Sequence, residues 1–235
     1  MLPVAILAGG LATRLRPITE TIPKALIEIN GAPFVDWQLK LLSKEGVDKV
    51  IFCVAYKSEM IQEYVGDGKR YGIDIEYSED GDIQLGTGGA IRKALDLLGE
   101  EFMVLYGDSY LPIDYKLVES AFYNSEKLAL MTVYKNAGAF DTSNVIFQNG
   151  QLQMYRKGNP TTEMTHIDYG LSLFKRSVFE KDREGVTLDL SDICTELSSR
   201  NELAGFEVDE RFYEIGSHQG IEDFEEYIGR TSNDI

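Results

Sequence analysis

Two consecutive glycines, with two cations downstream, are the residues of this sequence whose types and spacing most clearly indicate chemistry. Gly9 and Gly10 directly follow the apolar run Val4-Ala5-Ile6-Leu7. Glycines let backbone N–H groups approach an anion without a Cβ in the way. Arg14 and Lys24 add positive charge nearby, although the whole chain has a formal net charge of -16. The segment therefore predicts a loop that binds phosphate.

Two common phosphate-binding fingerprints do not fit this loop. The dinucleotide-binding fingerprint needs three glycines spaced G-x-G-x-x-G, but Leu11-Ala12-Thr13 follows the glycine pair. The Walker A loop needs G-x-x-x-x-G-K-[ST], and neither the second glycine nor the adjacent lysine follows Gly10. A glycine pair alone is equally typical of an ordinary turn. The phosphate interpretation therefore depends on the two cations.

Two further segments lie where ligands of α/β proteins usually bind. Gly107-Asp108 follows the apolar run 102–106, and a carboxylate at the end of a parallel strand can hold a metal ion that bridges to phosphate oxygens. The small residues 86–90 occupy a loop-to-helix junction, where they leave room for a ligand beside exposed amides. A turn-forming or helix-capping aspartate and a plain helix start are the structural alternatives.

Alternating strand and helix patterns must position these residues. In the first half of the chain, the apolar patterns predict strands at 4–7, 50–54, 73–77 and 102–106, and helices from Phe34 to Glu45, from a cap at Ser58 to Tyr64, and from 88 to 98 with Thr87 as cap. This alternation is typical of βαβ units, with a largely parallel sheet and helices on both faces. We therefore expect an α/β, Rossmann-like, doubly wound fold.

The second half of the chain predicts antiparallel additions to this sheet. Asn149-Gly150 separates two short strand patterns and is a strong signal for a tight hairpin. The patterns predict strands at 128–134, 144–147, 152–155, 166–174 and 204–208, helices at 190–200 and 221–228, and a frayed polar tail from Gly229. Since no linker or repeat is recognisable, we expect one domain over residues 1–235.

The composition limits the classes of partner that this chain could bind. The 39 acidic residues outnumber the 23 lysines and arginines, which argues against nucleic acid or an anionic membrane because both require a basic surface. Only Cys53 and Cys194 occur, and neither a membrane span nor a signal peptide is recognisable. We expect a cytoplasmic protein that binds a small anion. The sequence leaves open whether the chain forms a homo-oligomer.

Taken together, these motifs resemble those of the sugar-nucleotidyltransferases, which make nucleotide sugars from an NTP and a sugar 1-phosphate. The resemblance covers nearly the whole chain. It rests on segments 7–15, 23–24, 85–90, 107–108, 168–170 and 213–217, in family order. Length and motifs are most similar to the heptose 1-phosphate guanylyltransferase and N-acetylmuramate 1-phosphate uridylyltransferase branches. The resemblance implies the nucleotide-diphospho-sugar transferase fold, which is similar to GT-A, and Mg²⁺ as cofactor.

The resemblance also implies a role for each matching residue. Arg14 and Lys24 would be catalytic cations on the triphosphate. Asp108 would bind Mg²⁺ together with Glu214, where the family usually has aspartate. The nucleotide would be bound by Leu7, Ala8, Gly9, Gly10, Thr13, Gly86, Gly88 and Gly89. The sugar 1-phosphate would be bound by Lys157, Asp168 and Gly170, with Arg156 as the alternative to Lys157.

The implied reaction needs no nucleophile from the protein. A sugar 1-phosphate oxygen is already anionic and can attack the α-phosphorus in line, so the barrier is mainly repulsion between charged phosphates. We expect GTP and a heptose 1-phosphate as substrates, with UTP or CTP and another hexose or amino-sugar 1-phosphate as alternatives. A catalytically silent subunit that senses nucleotide sugars is the alternative of a different class. Retention of Arg14, Lys24 and Asp108 favours the enzyme.

Overall fold

A mixed β-sheet forms the centre of the computed structural model, which describes residues 1–10, 12–81, 85–136, 138–180 and 187–231. Within these ranges the strands are β1 (Val4–Leu7), β2 (Glu28–Ile29), β3 (Ala32–Pro33), β4 (Lys49–Val54), β5 (Asp74–Glu79), β6 (Glu101–Tyr106), β7 (Ser109–Tyr110), β8 (Ala129–Lys135), β9 (Val145–Gln148), β10 (Gln151–Tyr155), β11 (His166–Lys175), β12 (Leu203–Val208) and β13 (Tyr213–Glu214). The α-helices are α1 (Ile18–Thr21), α2 (Phe34–Glu45), α3 (Ser58–Val65), α4 (Gly86–Leu98), α5 (Tyr115–Ser125), α6 (Leu190–Ser199) and α7 (His218–Thr231).

The parallel part of the sheet contains β5, β4, β1 and β6, side by side in this order. Strand β11 joins β6 in the antiparallel direction and on its other side pairs with β8, again antiparallel, whereas β12 pairs with β8 in parallel. The hairpin of β9 and β10 is also antiparallel. The expected mostly parallel sheet with antiparallel additions is thus confirmed, and the carboxyl ends of its four parallel strands meet at one edge.

Apolar cores cover both faces of the sheet, as expected for a doubly wound fold. Val4 and Ile6 of β1 belong to the core that contains residues of α2 and α5, whereas Ala5 belongs to the core that contains residues of α4 and α6. This division follows from the period of two in a strand, which sends successive side chains to opposite faces. The helices therefore pack against both faces of β1 and fix the position of the loop that follows it.

Two predicted helix caps are wrong. Helix α3 begins at Ser58 itself, after Lys57 in the left-handed conformation, and no side chain caps it. Thr87 lies inside α4, where its hydroxyl donates to Asp189 Oδ1 and accepts from the Leu190 N–H, each at 2.8 Å. Thr87 therefore connects the start of α4 to the start of α6.

The second half of the chain follows the predictions more closely at the hairpin than at its end. Asn149 and Gly150 both have positive φ, 52° and 73°, as a tight hairpin turn requires. Helix α7 continues to Thr231, so the frayed tail predicted from Gly229 is wrong for 229–231, and 232–235 lie outside the described residues. Among the described helices, none has the length and apolar character needed to cross a membrane.

Candidate active site

A cavity of about 640 Å³ opens where β1, β4, β5 and β6 end. The predicted site residues in its wall are Leu7, Ala8, Gly9, Gly10, Thr13, Lys24, Gly86 and Asp108. Residues far apart in sequence thus meet because parallel strands end at the same edge of the sheet. The glycine loop, one of its predicted cations and the predicted metal ligand share one cavity.

The glycine loop is tightly packed on one side and open on the other. The Ala8 N–H donates to Cys53 O at 2.9 Å, which fixes the loop to the end of β4. A Cβ on Gly9 would lie 3.1 Å from Ala55 Cβ, whereas a Cβ on Gly10 would have no atom within 4 Å. The two glycines therefore serve different needs, close packing at Gly9 and open space for a ligand at Gly10.

Gly107 supports the same loop from β6, and its replacement is expected to destabilise the fold. A Cβ on Gly107 would lie 2.8 Å from Leu7 O and 3.1 Å from Ala8 Cα. We expect Gly107→Ala to lower the free energy of unfolding by about 1–3 kcal/mol, because backbone atoms must move to relieve the overlap. Urea unfolding measures this loss. Gly10→Ala is the matched control, and equal stability of the two variants would contradict the packing argument.

Lys24 and Asp108 form an ion pair in the cavity wall. Lys24 Nζ lies 2.6 Å from Asp108 Oδ2, and the two side chains are 21% and 26% exposed. The backbone of Asp108 also accepts a 2.9 Å hydrogen bond from the Ile215 N–H, which holds the segment after β13 against the site. The cation that is predicted to bind phosphate is thus already next to the predicted metal ligand.

Glu214 stands close enough to Asp108 for their charges to interact. Glu214 is exposed as a whole residue, yet partial burial of its carboxyl raises its pKa, Asp108 and Asp141 raise it further, and Lys24 and Arg14 lower it. Arg14 is exposed and lies outside the cavity wall, yet its charge reaches the same carboxyl. The structure therefore brings two carboxylates and two cations into one electrostatic group.

The two carboxylates suit a divalent metal that takes further ligands from its substrate. Mg²⁺ is usually bound by one or two carboxylates, together with waters and substrate phosphates. Asp108 and Glu214 supply oxygen donors, and Asp108 raises the pKa of Glu214 further, after the larger effect of burial, so a cation near the two carboxylates would be favoured. Among the described residues, no group of three or more His, Cys, Asp or Glu side chains is arranged to hold a metal. The donor set therefore fits a substrate-assisted site.

The contribution of Glu214 can be measured through the metal dependence of turnover. We expect Glu214→Ala to raise the Mg²⁺ concentration for half-maximal turnover by at least about tenfold, because one anionic oxygen donor is lost. Glu214→Asp restores the more usual ligand of the family and should keep part of the activity. Glu222→Ala, at an exposed glutamate of α7, is the control. An unchanged Mg²⁺ dependence in Glu214→Ala would exclude Glu214 as a ligand.

The glycines at the start of α4 divide between the cavity and the protein interior. Gly86 lines the cavity. The N–H groups of Gly88 and Gly89 donate to Leu188 O at 2.8 and 3.1 Å, and both glycines are buried outside the cavity wall. Their amides are satisfied by the chain itself, so we leave these two glycines out of the proposed nucleotide site.

The residues predicted to bind the sugar phosphate, Lys157, Asp168 and Gly170, are not part of the cavity wall. Burial raises the pKa of Asp168 to about 6, although the Gly170 N–H, 3.0 Å from Asp168 Oδ1, and the charge of Lys157 lower it. Lys157 and Arg156 are both exposed. Burial is the largest cause of the raised pKa of Tyr106, and the charges of Asp168 and Asp108 raise it further. Tyr106 lines the cavity, so the charge of Asp168 acts on a residue of its wall.

Asp80 is a wall residue that the sequence analysis missed. It directly follows β5 and lines the cavity. Burial raises the pKa of its carboxyl, and Lys93 partly opposes this shift. The available signal was its position, because Asp80 follows its strand much as Asp108 follows β6. That signal is weak in the sequence, since any loop aspartate after a strand would give it.

A doubly wound sheet with a glycine loop, a cation and two carboxylates at its carboxyl edge is typical of proteins that bind a phosphorylated ligand. The model of the nucleotidyl transferase family matches residues 4–230, and the chain belongs to this family.

Three curated relatives illustrate the similarity. The D-glycero-alpha-D-manno-heptose 1-phosphate guanylyltransferase of Aneurinibacillus thermoaerophilus is 30% identical over 90% of this chain and 91% of its own length. The enzyme of the same name from Campylobacter jejuni is 45% identical over 46% of this chain and 48% of its own length. The UTP--glucose-1-phosphate uridylyltransferase of Synechocystis is 30% identical over 79% of this chain and 52% of its own length. The chain spans about half the length of the last two.

The solved structures confirm the fold. A putative glucose-1-phosphate thymidylyltransferase from Bacillus anthracis superposes with a TM-score of 0.84 at 20% sequence identity, covering 97% of this chain and 95% of that chain. At this identity the likeness concerns the fold alone. The nucleotide-diphospho-sugar transferase fold, similar to GT-A, is therefore the fold of this chain.

Proposed function

We propose that this chain is a sugar-1-phosphate nucleotidyltransferase, which forms an NDP-sugar and pyrophosphate from an NTP and a sugar 1-phosphate. The observation that carries the proposal is the Lys24–Asp108 ion pair, in the wall of the cavity that the glycine loop also lines. The charges of Arg14 and Glu214 belong to the same group. Family membership and the names of the three relatives support the reaction class.

The proposed chemistry uses the chain's residues for binding and charge neutralisation. A sugar 1-phosphate oxygen attacks the α-phosphorus in line, the bond from this phosphorus to the β-phosphate oxygen breaks, and pyrophosphate leaves with the electron pair. The attacking oxygen carries no proton at neutral pH, so no general base is needed. Lys24 and Arg14 neutralise the phosphates. A divalent ion, proposed to be Mg²⁺ on Asp108 and Glu214, would supply further positive charge at the phosphate oxygens.

GTP and a heptose 1-phosphate are the substrates that we propose. The names of the Aneurinibacillus and Campylobacter relatives support this choice, whereas the Synechocystis relative is a uridylyltransferase. UTP or CTP with another hexose or amino-sugar 1-phosphate is therefore the second candidate. A silent sensor is less favoured because the cations and carboxylates of the site are retained. The cytoplasmic location expected from the composition stays a prediction.

Pyrophosphate release tests the proposal. The full chain is incubated with each of the four NTPs and a panel of sugar 1-phosphates, with and without Mg²⁺. We expect release with at least one pair, and only when the divalent ion is present. A panel without any release would contradict the enzymatic function and favour the sensor. Release that persists after removal of all divalent ions by a chelator would contradict the metal site.

A further inference from the structure

Glu214, the second carboxylate of the proposed metal site, lies on a strand with little backbone support. Strand β13 consists of Tyr213 and Glu214 and pairs with β7 in a two-stranded sheet apart from the central one. The next residue, Ile215, donates its N–H to Asp108 O at 2.9 Å. Two-stranded pairs are marginally stable by themselves. Side-chain contacts around β13 must therefore help to hold Glu214 in place.

Arg211, three residues before Glu214, contacts three segments around this strand. Its guanidinium carbon lies 4.9 Å from the centroid of the Tyr213 ring and 4.6 Å from that of the Phe140 ring. Both distances are typical of cation–π contacts. Its Nη2 donates to Asp223 Oδ2 on α7. Arg211 therefore joins strand β13, the connection between β8 and β9, and helix α7.

Helix α7 is the anchor for this arginine. Both oxygens of the Asp223 carboxylate accept a hydrogen bond, Oδ2 from Arg211 and Oδ1 from Gln219 Nε2 at 2.9 Å. Four residues after Asp223, the Tyr227 ring stacks on the Tyr213 ring, with the centroids 4.3 Å apart and the planes 27° from parallel. Helix α7 thus holds the Tyr213 ring twice, once by stacking and once through the arginine.

The guanidinium keeps its place at a cost. Arg211 Nε is buried and has no hydrogen-bond partner among the described residues. Unpaired buried donors of this kind are rare and unfavourable. The contacts with the two rings and with Asp223 therefore have to outweigh this cost. They fix the guanidinium against β13 although one of its donors is unused.

From these contacts, and on the basis of the proposed function, we propose that Arg211 is a positioning residue for the metal ligand Glu214. Successive side chains of a strand point to opposite faces. Holding the Tyr213 ring against α7 therefore directs the Glu214 side chain to the other face of β13. Groups that orient a metal ligand without touching the metal control its affinity. Arg211 would act in this way, through the strand and not on the substrate.

Calorimetric titration of the full chain with Mg²⁺ alone tests this inference without turnover. We expect Arg211→Met, which keeps an apolar stem and removes the guanidinium, to weaken Mg²⁺ binding by about three- to tenfold. Arg211→Lys keeps a charge that can reach Asp223 and the rings, and should recover part of the loss. Arg200→Met removes an exposed arginine that is paired with Glu196 on α6. This matched control should bind Mg²⁺ no more weakly than the wild type.

A double-mutant cycle shows whether Arg211 acts through Glu214. In a chain that already carries Glu214→Ala, Arg211→Met should change the Mg²⁺ affinity by less than about twofold, because the ligand that it positions is absent. The same loss with and without Glu214 would overturn the inference, since Arg211 would then act on another part of the site. Thermal unfolding of each variant accompanies the titrations.

The sign of the effect is decisive as well. Removal of a positive charge by itself favours a bound cation, so unchanged or tighter Mg²⁺ binding in Arg211→Met would contradict the positioning role. A loss that Arg211→Lys shares in full, together with a lower unfolding temperature, would assign Arg211 to the stability of the fold alone. Absence of pyrophosphate release with every substrate pair contradicts the proposed function separately, because the titrations contain no substrate.

Discussion

Asp108→Asn is expected to lower the turnover number by about 10³-fold or more, because it removes the anionic metal ligand that we propose for the site. A divalent ion contributes several kcal/mol of stabilisation to a transition state of this kind, and each 1.36 kcal/mol corresponds to about tenfold in rate. Asparagine retains one neutral oxygen and nearly the same volume. The measurement is the rate of pyrophosphate release at saturating substrates and Mg²⁺.

The fold should survive this substitution. The Asp108 side chain is 26% exposed and pairs with a Lys24 side chain of similar exposure, so the lost ion pair should change the free energy of unfolding by less than about 1 kcal/mol. The hydrogen bond from Ile215 goes to the backbone of Asp108 and remains. Thermal unfolding checks this point, and Asp74→Asn, an exposed aspartate on β5, is the control. Retained turnover in Asp108→Asn would contradict the metal assignment.

The sequence predicts the parallel sheet well because its signals are local. The apolar runs of β1, β4 and β6 identify buried strands, and the residues after them are then placed at one edge by the fold class alone. Lys24 and Asp108 are in this sense predictable, although their 2.6 Å contact joins segments 84 residues apart. What the sequence cannot supply is which of two residues at such an edge turns into the cavity.

Other features depend on contacts between distant segments. The amides of Gly88 and Gly89 are occupied by Leu188, which a local pattern cannot reveal. Asp80 requires the position of β5 at the end of the sheet before its place in the wall is evident. Helix α5 was missed although its signal is local, since Asp114 caps it through the N–H groups of Lys116 and Leu117. Thr87 looks like a helix cap from the sequence, but its hydroxyl binds α6.

Lys24→Met is expected to lower kcat/KM by about 10²- to 10³-fold, since it removes a positive charge from the place where we propose that negative charge develops. Lys24 lines the cavity, whereas Lys44 on α2 is exposed, so Lys44→Gln controls for the change in net charge. Lys24→Arg keeps the charge with a different geometry and should recover part of the loss. Loss of the same size in Lys44→Gln would show that the effect comes from the overall field of this acidic chain.

The same substitution should act in the opposite direction on metal binding, and this separates a role in charge neutralisation from simple damage to the site. Without nucleotide, the Lys24 ammonium occupies Asp108 Oδ2 and competes with a divalent ion for that oxygen. Its removal should tighten binding of Mg²⁺ to the free chain by up to about fivefold, while turnover falls. Titration calorimetry with Mg²⁺ alone measures the first effect. Weaker Mg²⁺ binding in Lys24→Met would mean that Lys24 holds Asp108 in position for the metal instead of competing with it.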